Sequence, residues 1–195
     1  QQIAFAEQFG TLERHIASNR GKTNPLVHIV TNLNADGKPS GKVASTSWHS
    51  DKSFRPQPSL ATILHALVMP PDGGETCFAN MIAAYEALPA AEKAELDGIR
   101  AVHSWEISQA RAGFKAPAEE IADAPPMSHP LVRTIPETGL KALFMGERAV
   151  FFEGHPEEVG QARLEKLTAH AVEERFVYRH KWTLGDLLMW DNRCV

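Results

Sequence analysis

Short runs of apolar and β-branched residues recur along the chain, and clusters of proline, glycine and polar turn formers separate them. Runs of this length and composition are typical of strands. We predict strands at residues 27–33, 60–69, 75–78, 99–107, 129–135, 141–145, 175–182 and 187–195. The turn formers at 136–139 and 183–186 indicate that the last four runs form two antiparallel pairs, one across each turn.

Apolar residues at helical spacing predict a smaller number of helices. Residues 156–172 are the longest such segment, and Pro156 suits its first turn. Asn80 is suited to cap a second helix, Pro89 separates that helix from a third, and residues 1–9 read as a further helix. Because strands outnumber helices in this pattern, we predict a mainly β fold with flanking helices, of the α+β class, built as a sandwich or barrel.

Residues 108–127 interrupt the pattern with a long polar stretch that is rich in alanine and proline. Connections of this length inside a compact domain are usually functional loops. We therefore expect one domain over residues 1–195, with residues 108–127 inserted as a candidate active-site lid.

Charge and composition exclude several classes of partner. The 195 residues carry a net charge of −4 and have a sequence pI near 6.1. Such a balance gives no basic surface for nucleic acid or an anionic membrane, and no apolar run approaches the roughly 18 residues of a membrane helix. We expect neither nucleic acid nor a membrane as a partner. Cys77 and Cys194 lack CxxC spacing and suit a reducing compartment, which predicts a cytoplasmic protein.

His49 and Asp51 are the first candidates for chemistry. Residues two apart on an extended segment project from the same face, so this imidazole and this carboxylate can converge on one ion. Two imidazoles and one carboxylate on one face of an octahedron suit non-haem Fe(II) and leave other positions open. The alternative is a partly exposed histidine beside a solvated aspartate, and the His-x-Asp pattern alone does not separate the two.

Two other motifs are candidates for parts of a site. In residues 73–76 (G-G-E-T) the glycines permit close backbone approach and the Thr76 hydroxyl could donate to a carboxylate, although an ordinary hairpin turn fits as well. Residues 190–193 (W-D-N-R) place polar groups at a strand end. Cys77 has no adjacent base that would make it a nucleophile. We expect structural or surface roles for His65, His129 and His170.

The order and spacing of the motifs carry more information than any one of them. The set comprises W-H-S-D-K-S-F (48–54), L-H-A-L-V-M-P-P-D-G-G-E-T-C-F-A-N-M (64–81), A-A-Y-E-A-L-P (83–89), H-P-L-V-R-T-I-P-E-T-G (129–139) and F-V-Y-R-H-K-W-T-L-G-D-L-L-M-W-D-N-R-C-V (176–195). Together these motifs resemble the taurine / 2,4-dichlorophenoxyacetate dioxygenase family, which uses Fe(II) and 2-oxoglutarate. The resemblance covers nearly the whole chain, and residues 176–195 are more similar to the 2,4-dichlorophenoxyacetate side of the family.

This resemblance implies a double-stranded β-helix, or jelly-roll, core with helices packed outside it. We expect the jelly-roll to be incomplete at both ends of the chain. By the same resemblance, His49 and Asp51 are two of the three ligands of Fe(II), and Thr76 hydrogen-bonds the distal carboxylate of 2-oxoglutarate. The third ligand, a histidine, is expected about two residues beyond Val195, and the 2-oxoglutarate arginine further on.

The implied reaction is the hydroxylation of a C–H bond in a small organic acid that is phenoxyalkanoate-, sulfonate- or sulfate-ester-like. O2 is the oxidant, and succinate and CO2 are the co-products. Two alternatives stay open: a divalent-metal hydrolase that uses the His-x-Asp pair, and a non-catalytic jelly-roll binding or assembly module. Lys52, Phe54 and Arg111 are candidate contacts for the acidic substrate. We also expect a homo-oligomer.

Overall fold

The structure is a computed structural model that describes residues 1–14, 26–34, 36–41 and 46–195. The described helices are α1 (Gln2–Ala6), α2 (Met81–Glu86), α3 (Ala90–Leu96), α4 (Trp105–Arg111), α5 (Ala118–Asp123) and α6 (Glu157–Ala171), with short 3-10 helices at Glu7–Phe9 and Glu174–Phe176. The described strands are β1 (Ala61–His65), β2 (Thr76–Ala79), β3 (Arg100–His103), β4 (Met127–Pro130), β5 (Val132–Thr134), β6 (Lys141–Leu143), β7 (Ala149–Phe152), β8 (Val177–His180) and β9 (Leu187–Asp191).

These strands form small antiparallel sheets rather than one large sheet. Strand β1 pairs with β9, β2 with β8, β5 with β6, and β3 lies between β4 and β7. In the first two pairs, Ala61 lies opposite Asp191 and Thr76 lies opposite His180. Two segments distant in sequence therefore lie side by side, and they carry two of the five motifs above, those at 64–81 and 176–195.

Local sequence explains where the main helices begin. The Asn80 side chain accepts a hydrogen bond of 2.9 Å from the backbone N–H of Ala83, which caps α2 as expected. Helix α6 follows Pro156 and has Glu157 and Glu158 in its first turn, where the helix dipole favours negative charge. The predicted helix at 156–172 is thereby confirmed.

The main core lies between the helices and the central strands. Its fully buried side chains come from α3, α6, β6 and the segment before β5, and include Leu96, Leu131, Leu143 and Leu167. Burying a leucine side chain contributes about 1.5–3 kcal/mol, so this cluster is a large part of what holds the helices to the strands. Trp48 packs against the same core, so the residue directly before His49 is anchored to it.

Several predicted strands are wrong in whole or in part. The strand predicted at 129–135 is divided into β4 and β5, which lie in different sheets. Residues 27–33 form only an isolated bridge, between Leu33 and Pro39, because no other described strand lies beside this β-branched segment. The strand predicted at 99–107 ends at His103. There the Ser104 hydroxyl accepts a hydrogen bond of 3.1 Å from the N–H of Ile107 and caps helix α4.

The structure also corrects two longer-range expectations. Strands β8 and β9 do not pair with each other across the turn at 183–186. Instead, β8 pairs with β2 and β9 pairs with β1. Residues 108–127 are not an irregular loop: they contain the end of α4 and all of α5. The hairpin at 136–139 is confirmed by the pairing of β5 with β6.

The fold class is confirmed as a mixture of helices and strands, in which the strands outnumber the helices. The described part of the chain has six α-helices and nine strands, and the strands are short. Among the described helices, none has the length and apolar character needed to cross a membrane.

Candidate metal centre

The structure brings the side chains of His49 and Asp51 together. The His49 Nε2 lies 3.4 Å from the Asp51 Oδ1, and the two side chains are 28% and 31% exposed. His49 lies in the segment without regular secondary structure before a turn at 51–54, and Asp51 is the first residue of that turn rather than part of an extended segment. Their side chains nevertheless lie on one side of the backbone, as expected.

The His49 ring is oriented by a hydrogen bond on the side away from Asp51. Its Nδ1 lies 2.9 Å from the Ser47 carbonyl oxygen, and because a carbonyl only accepts, Nδ1 is the nitrogen that donates. Nε2 is therefore the nitrogen that faces Asp51. Gly146 packs directly against this backbone: a Cβ added there would lie 2.9 Å from the His49 Cα and 3.0 Å from the Trp48 carbonyl oxygen.

The Asp51 carboxylate is anchored through its other oxygen. The Thr62 hydroxyl on β1 lies 2.6 Å from the Asp51 Oδ2. The buried Asn192, directly after β9, donates from its Nδ2 to the Thr62 Oγ1 at 2.9 Å, and its Oδ1 accepts from the Asp51 backbone N–H at 3.4 Å. Asp51 Oδ2 is thus satisfied within the protein, and Oδ1 is left facing His49.

The electrostatics of the pair follow from these contacts. The pKa of His49 lies above its ordinary value, chiefly because Asp51 accepts a hydrogen bond from the ring, while burial opposes the shift. Burial works to raise the pKa of Asp51, but hydrogen bonds from His49 and Thr62 outweigh it and the pKa lies below its ordinary value. Any proton between the ring and the carboxylate has to leave before Nε2 and Oδ1 can both bind a metal ion.

The donor set fits a divalent metal ion. Two cis ligands with bonds of about 2.1 Å lie about 3 Å apart, close to the 3.4 Å that separates Nε2 from Oδ1. One imidazole nitrogen and one carboxylate oxygen suit iron among other ions. No group of three or more histidine, cysteine, aspartate or glutamate side chains is placed to hold a metal in the described ranges, so the pair supplies two ligands.

Thr76 begins β2, where the Trp182 indole N–H donates a hydrogen bond of 2.9 Å to its Oγ1. Phe78 projects from the same face of β2 as Thr76, because the two are separated by one residue. The Phe78 ring contacts the Trp190 ring at 5.1 Å, and the Trp190 indole N–H donates to the Asn192 Oδ1 at 3.1 Å. One face of β2 is therefore directed towards the residues that anchor Asp51.

The three predicted substrate contacts each have a partner within the protein. The Lys52 Nζ lies 2.9 Å from the Glu13 Oε2, and Phe54 is buried against Trp105 with ring centroids 5.3 Å apart. Arg111 donates to the Val150 carbonyl and to side chains on α6. Their role in binding substrate stays a prediction.

Residues 108–127 are attached close to the metal pair. Arg55, four residues after Asp51, forms an ion pair with Asp123 at the end of α5. The Trp105 indole N–H donates to the buried Glu120 carboxylate at 3.2 Å. These contacts hold α5 beside the turn that follows Asp51.

Sequence reasoning missed the residues that support the candidate ligands. Thr62, Gly146 and Trp182 gave no local signal, because their contacts arise from strand pairing and loop packing between distant segments. Asn192 lies inside the W-D-N-R motif, whose polar residues at a strand end were a usable signal. His129 and His170 form structural hydrogen bonds to the carbonyls of Arg55 and Ala84, as predicted.

Comparisons with known proteins bear on this site. The taurine catabolism dioxygenase TauD, TfdA family matches the chain over residues 1–195. The curated alpha-ketoglutarate-dependent 2,4-dichlorophenoxyacetate dioxygenase of Burkholderia sp. (strain RASC) is 43% identical over 209 residues, covering 100% of this chain and 70% of the relative.

Two solved structures are also similar to the chain. A protein from Burkholderia xenovorans, provisionally assigned as an alpha-ketoglutarate dependent 2,4-D dioxygenase, has a TM-score of 0.83 at 36% identity, covering 99% of this chain and 68% of its own. AAD-2 in complex with Mn(II) and N-oxalylglycine has a TM-score of 0.72 at 42% identity, covering 75% of this chain and 58% of its own.

Proposed function

The chain belongs to the taurine catabolism dioxygenase TauD, TfdA family, and we propose that it hydroxylates a C–H bond of a small organic acid with Fe(II), 2-oxoglutarate and O2. This membership makes it a 2-oxoglutarate-dependent dioxygenase. It disfavours a metal hydrolase and a non-catalytic binding module, the two alternatives left open by the residues alone. The proposal includes a jelly-roll core, supported by the pairing of β1 with β9 and of β2 with β8.

His49 and Asp51 hold the iron in this proposal. The Ser47 carbonyl fixes which nitrogen of His49 faces the metal, and Thr62 fixes which oxygen of Asp51 does. When bound, Fe(II) would activate O2 for oxidation of the substrate, and 2-oxoglutarate would be converted to succinate and CO2 in the same reaction. Neither His49 nor Asp51 acts as a general base: their task is to keep the ligand geometry fixed.

Thr76 binds the distal carboxylate of 2-oxoglutarate. Its Oγ1 already accepts a hydrogen bond from Trp182, so its hydroxyl hydrogen is available to donate to an incoming carboxylate. The N-oxalylglycine bound by AAD-2 is an analogue of 2-oxoglutarate, which supports a co-substrate of this chemistry.

The substrate class is a phenoxyalkanoate or a similar organic acid. The name of the 43% identical relative, a 2,4-dichlorophenoxyacetate dioxygenase, supports this class. Lys52, Phe54 and Arg111 would contact the acid only if they exchanged their present partners for it. The segment at 108–127 serves as a lid, supported by the attachment of α5 to Arg55 beside the metal pair.

The expected setting of the enzyme completes the proposal. Cys77 and Cys194 are both free thiols, which supports the reducing cytoplasm as its location. Its partners are the acidic substrate and O2, and it assembles as a homo-oligomer.

The single observation that carries the proposal is the placement of His49 Nε2 beside Asp51 Oδ1, with Thr62 on the other carboxylate oxygen. The test measures succinate and hydroxylated product formed by the full-length protein from Fe(II), 2-oxoglutarate, O2 and a panel of phenoxy, sulfonate and sulfate-ester acids. We expect one succinate per hydroxylation event for at least one acid. Turnover of an acid at the same rate without 2-oxoglutarate would contradict the proposal.

A further inference from the structure

Asn192 is almost completely buried directly behind the candidate metal pair, and all its polar groups are used. Only 1% of its surface is exposed. Its backbone N–H donates to the Leu60 carbonyl at 3.0 Å, and its own carbonyl accepts from the Ser50 hydroxyl at 2.8 Å. The backbone of Asn192 therefore connects the segment between His49 and Asp51 to the beginning of β1.

The side-chain amide of Asn192 has only one orientation that satisfies its neighbours. One end of the amide meets the Trp190 indole N–H at 3.1 Å and the Asp51 backbone N–H at 3.4 Å. Both of these groups only donate, so the oxygen of the amide must be at this end. The Nδ2 of Asn192 is then directed at the Thr62 Oγ1, 2.9 Å away.

This orientation determines the direction of the next hydrogen bond. The Thr62 oxygen accepts from the Asn192 Nδ2, so its hydroxyl hydrogen is directed at the Asp51 Oδ2, 2.6 Å away. A short hydrogen bond to a carboxylate is among the stronger ones in proteins. The chain of donors runs in one direction from Trp190 through Asn192 and Thr62 to Asp51.

We propose that Thr62 and Asn192 are positioning residues for the metal: they hold the Asp51 carboxylate so that Oδ1 alone faces the ion. This inference rests on the proposed metal role of Asp51. Asn192 acts only through Thr62 and the Asp51 backbone, and neither Thr62 nor Asn192 touches the metal. Loss of such supporting partners typically lowers metal affinity about 10–100-fold.

The test measures the dissociation constant for Mn(II) of the full-length protein, with the thermal unfolding of the metal-free form recorded beside it. Thr62→Val keeps the shape of the side chain and removes the hydroxyl, and Thr62→Ser restores the hydroxyl. Asn192→Leu is similar in size and removes the amide. Thr134→Val is the matched control, since Thr134 is an exposed threonine on β5.

We expect Thr62→Val to weaken Mn(II) binding about 10–100-fold, Thr62→Ser to recover most of it, and Thr134→Val to leave it unchanged. The double variant Thr62→Val/Asn192→Leu should lose less affinity than the two single losses added together, because part of the effect of Asn192 passes through Thr62. Should Asn192→Leu fail to fold, the comparison of Thr62→Val with Thr62→Ser still tests the positioning role. A merely structural role would lower the unfolding temperature of the Thr62 variants and leave their Mn(II) affinity unchanged, which would overturn the inference.

Asp51→Ala separates failure of this inference from failure of the proposed function. If Asp51→Ala abolishes Mn(II) binding and Thr62→Val does not weaken it, the positioning role is wrong and the metal role of Asp51 stands. If Asp51→Ala itself binds Mn(II) normally, both are wrong.

Discussion

The Trp182 indole N–H donates a hydrogen bond of 2.9 Å to the Oγ1 of Thr76, across the end of the β2–β8 pair. An indole N–H is a donor only, so this contact fixes the Thr76 oxygen as an acceptor. The threonine hydroxyl hydrogen is then available to donate to the 2-oxoglutarate carboxylate that we propose Thr76 binds.

Thr76→Val should raise the KM for 2-oxoglutarate about tenfold or more, because a hydrogen bond to a charged group contributes about 1.5–3 kcal/mol. Trp182→Phe should raise it less, since the hydroxyl remains but is free to rotate. Steady-state kinetics with 2-oxoglutarate varied would measure both effects, and Thr134→Val is again the control. A change in the KM of the organic acid alone would assign Thr76 to the substrate pocket.

Gly146→Ala should weaken metal binding by about tenfold or more. The added Cβ would lie 2.9 Å from the His49 Cα, and Gly146 has a φ of +139°, which a residue with a side chain rarely adopts. The backbone of His49 must then shift, and its ring shifts with it. Mn(II) titration would measure the loss.

Gly154→Ala is the matched control for this substitution. Gly154 also has a positive φ, of +75°, but an added Cβ there would meet no atom within 4 Å. We expect Gly154→Ala to lower stability while leaving Mn(II) affinity unchanged. Equal losses of affinity in the two variants would show that the close approach to His49 is unimportant.

Gly160→Ala should destabilise the protein, although helix propensity alone favours alanine by about 1 kcal/mol. An added Cβ on α6 would lie 2.6 Å from the Phe152 backbone nitrogen on β7, and overpacking of this kind costs roughly 1–3 kcal/mol. Chemical denaturation would measure the change. Ala162→Gly in the same helix is the reference for propensity, and a gain of stability in Gly160→Ala would contradict the close packing of α6 on β7.

His103 should make the fold sensitive to acid. It is buried beside the rings of His129 and Phe144, and in the described part of the chain neither of its ring nitrogens has a hydrogen-bond partner. Burial, together with the charges of His129 and Arg133, lowers the pKa of His103 to about 3. The folded protein therefore holds this ring neutral.

In the unfolded chain the pKa of a histidine is about 6.5. Between about pH 6.5 and about pH 3 the unfolded chain binds a proton that the folded protein does not bind at His103. The free energy of unfolding should therefore fall by up to about 1.4 kcal/mol per pH unit as the pH decreases through this range. Urea denaturation at about pH 7 and about pH 4.5 would measure this loss, which should be smaller in His103→Phe. An equal loss in that variant would assign the acid sensitivity to other groups.

The candidate ligands could be found from sequence, because their geometry is local. His49 and Asp51 are separated by one residue, and this short spacing brings their side chains together where the chain enters the turn at 51–54. The helix cap at Asn80 and the hairpin between β5 and β6 were predictable for the same reason.

The residues that support these ligands could not be found in this way. Thr62 reaches Asn192 because β1 and β9 pair in a register that sets Thr62 opposite Trp190. That register joins distant segments, and the turn at 183–186 favoured a different partner for β9. Ser104 shows a further limit of the sequence prediction. Residues 99–107 alternate like a strand, but the Ser104 side chain caps α4, so the strand ends and the helix begins within this segment.

The metal role of His49 and Asp51 is tested most directly by a crystal structure of the full-length protein grown with Mn(II) and N-oxalylglycine, with the metal located by anomalous scattering. We predict one metal within about 2.0–2.3 Å of both His49 Nε2 and Asp51 Oδ1, with the Thr62 hydroxyl still on Asp51 Oδ2. A metal bound elsewhere, or one held by Asp51 Oδ2 with Thr62 displaced, would contradict this site.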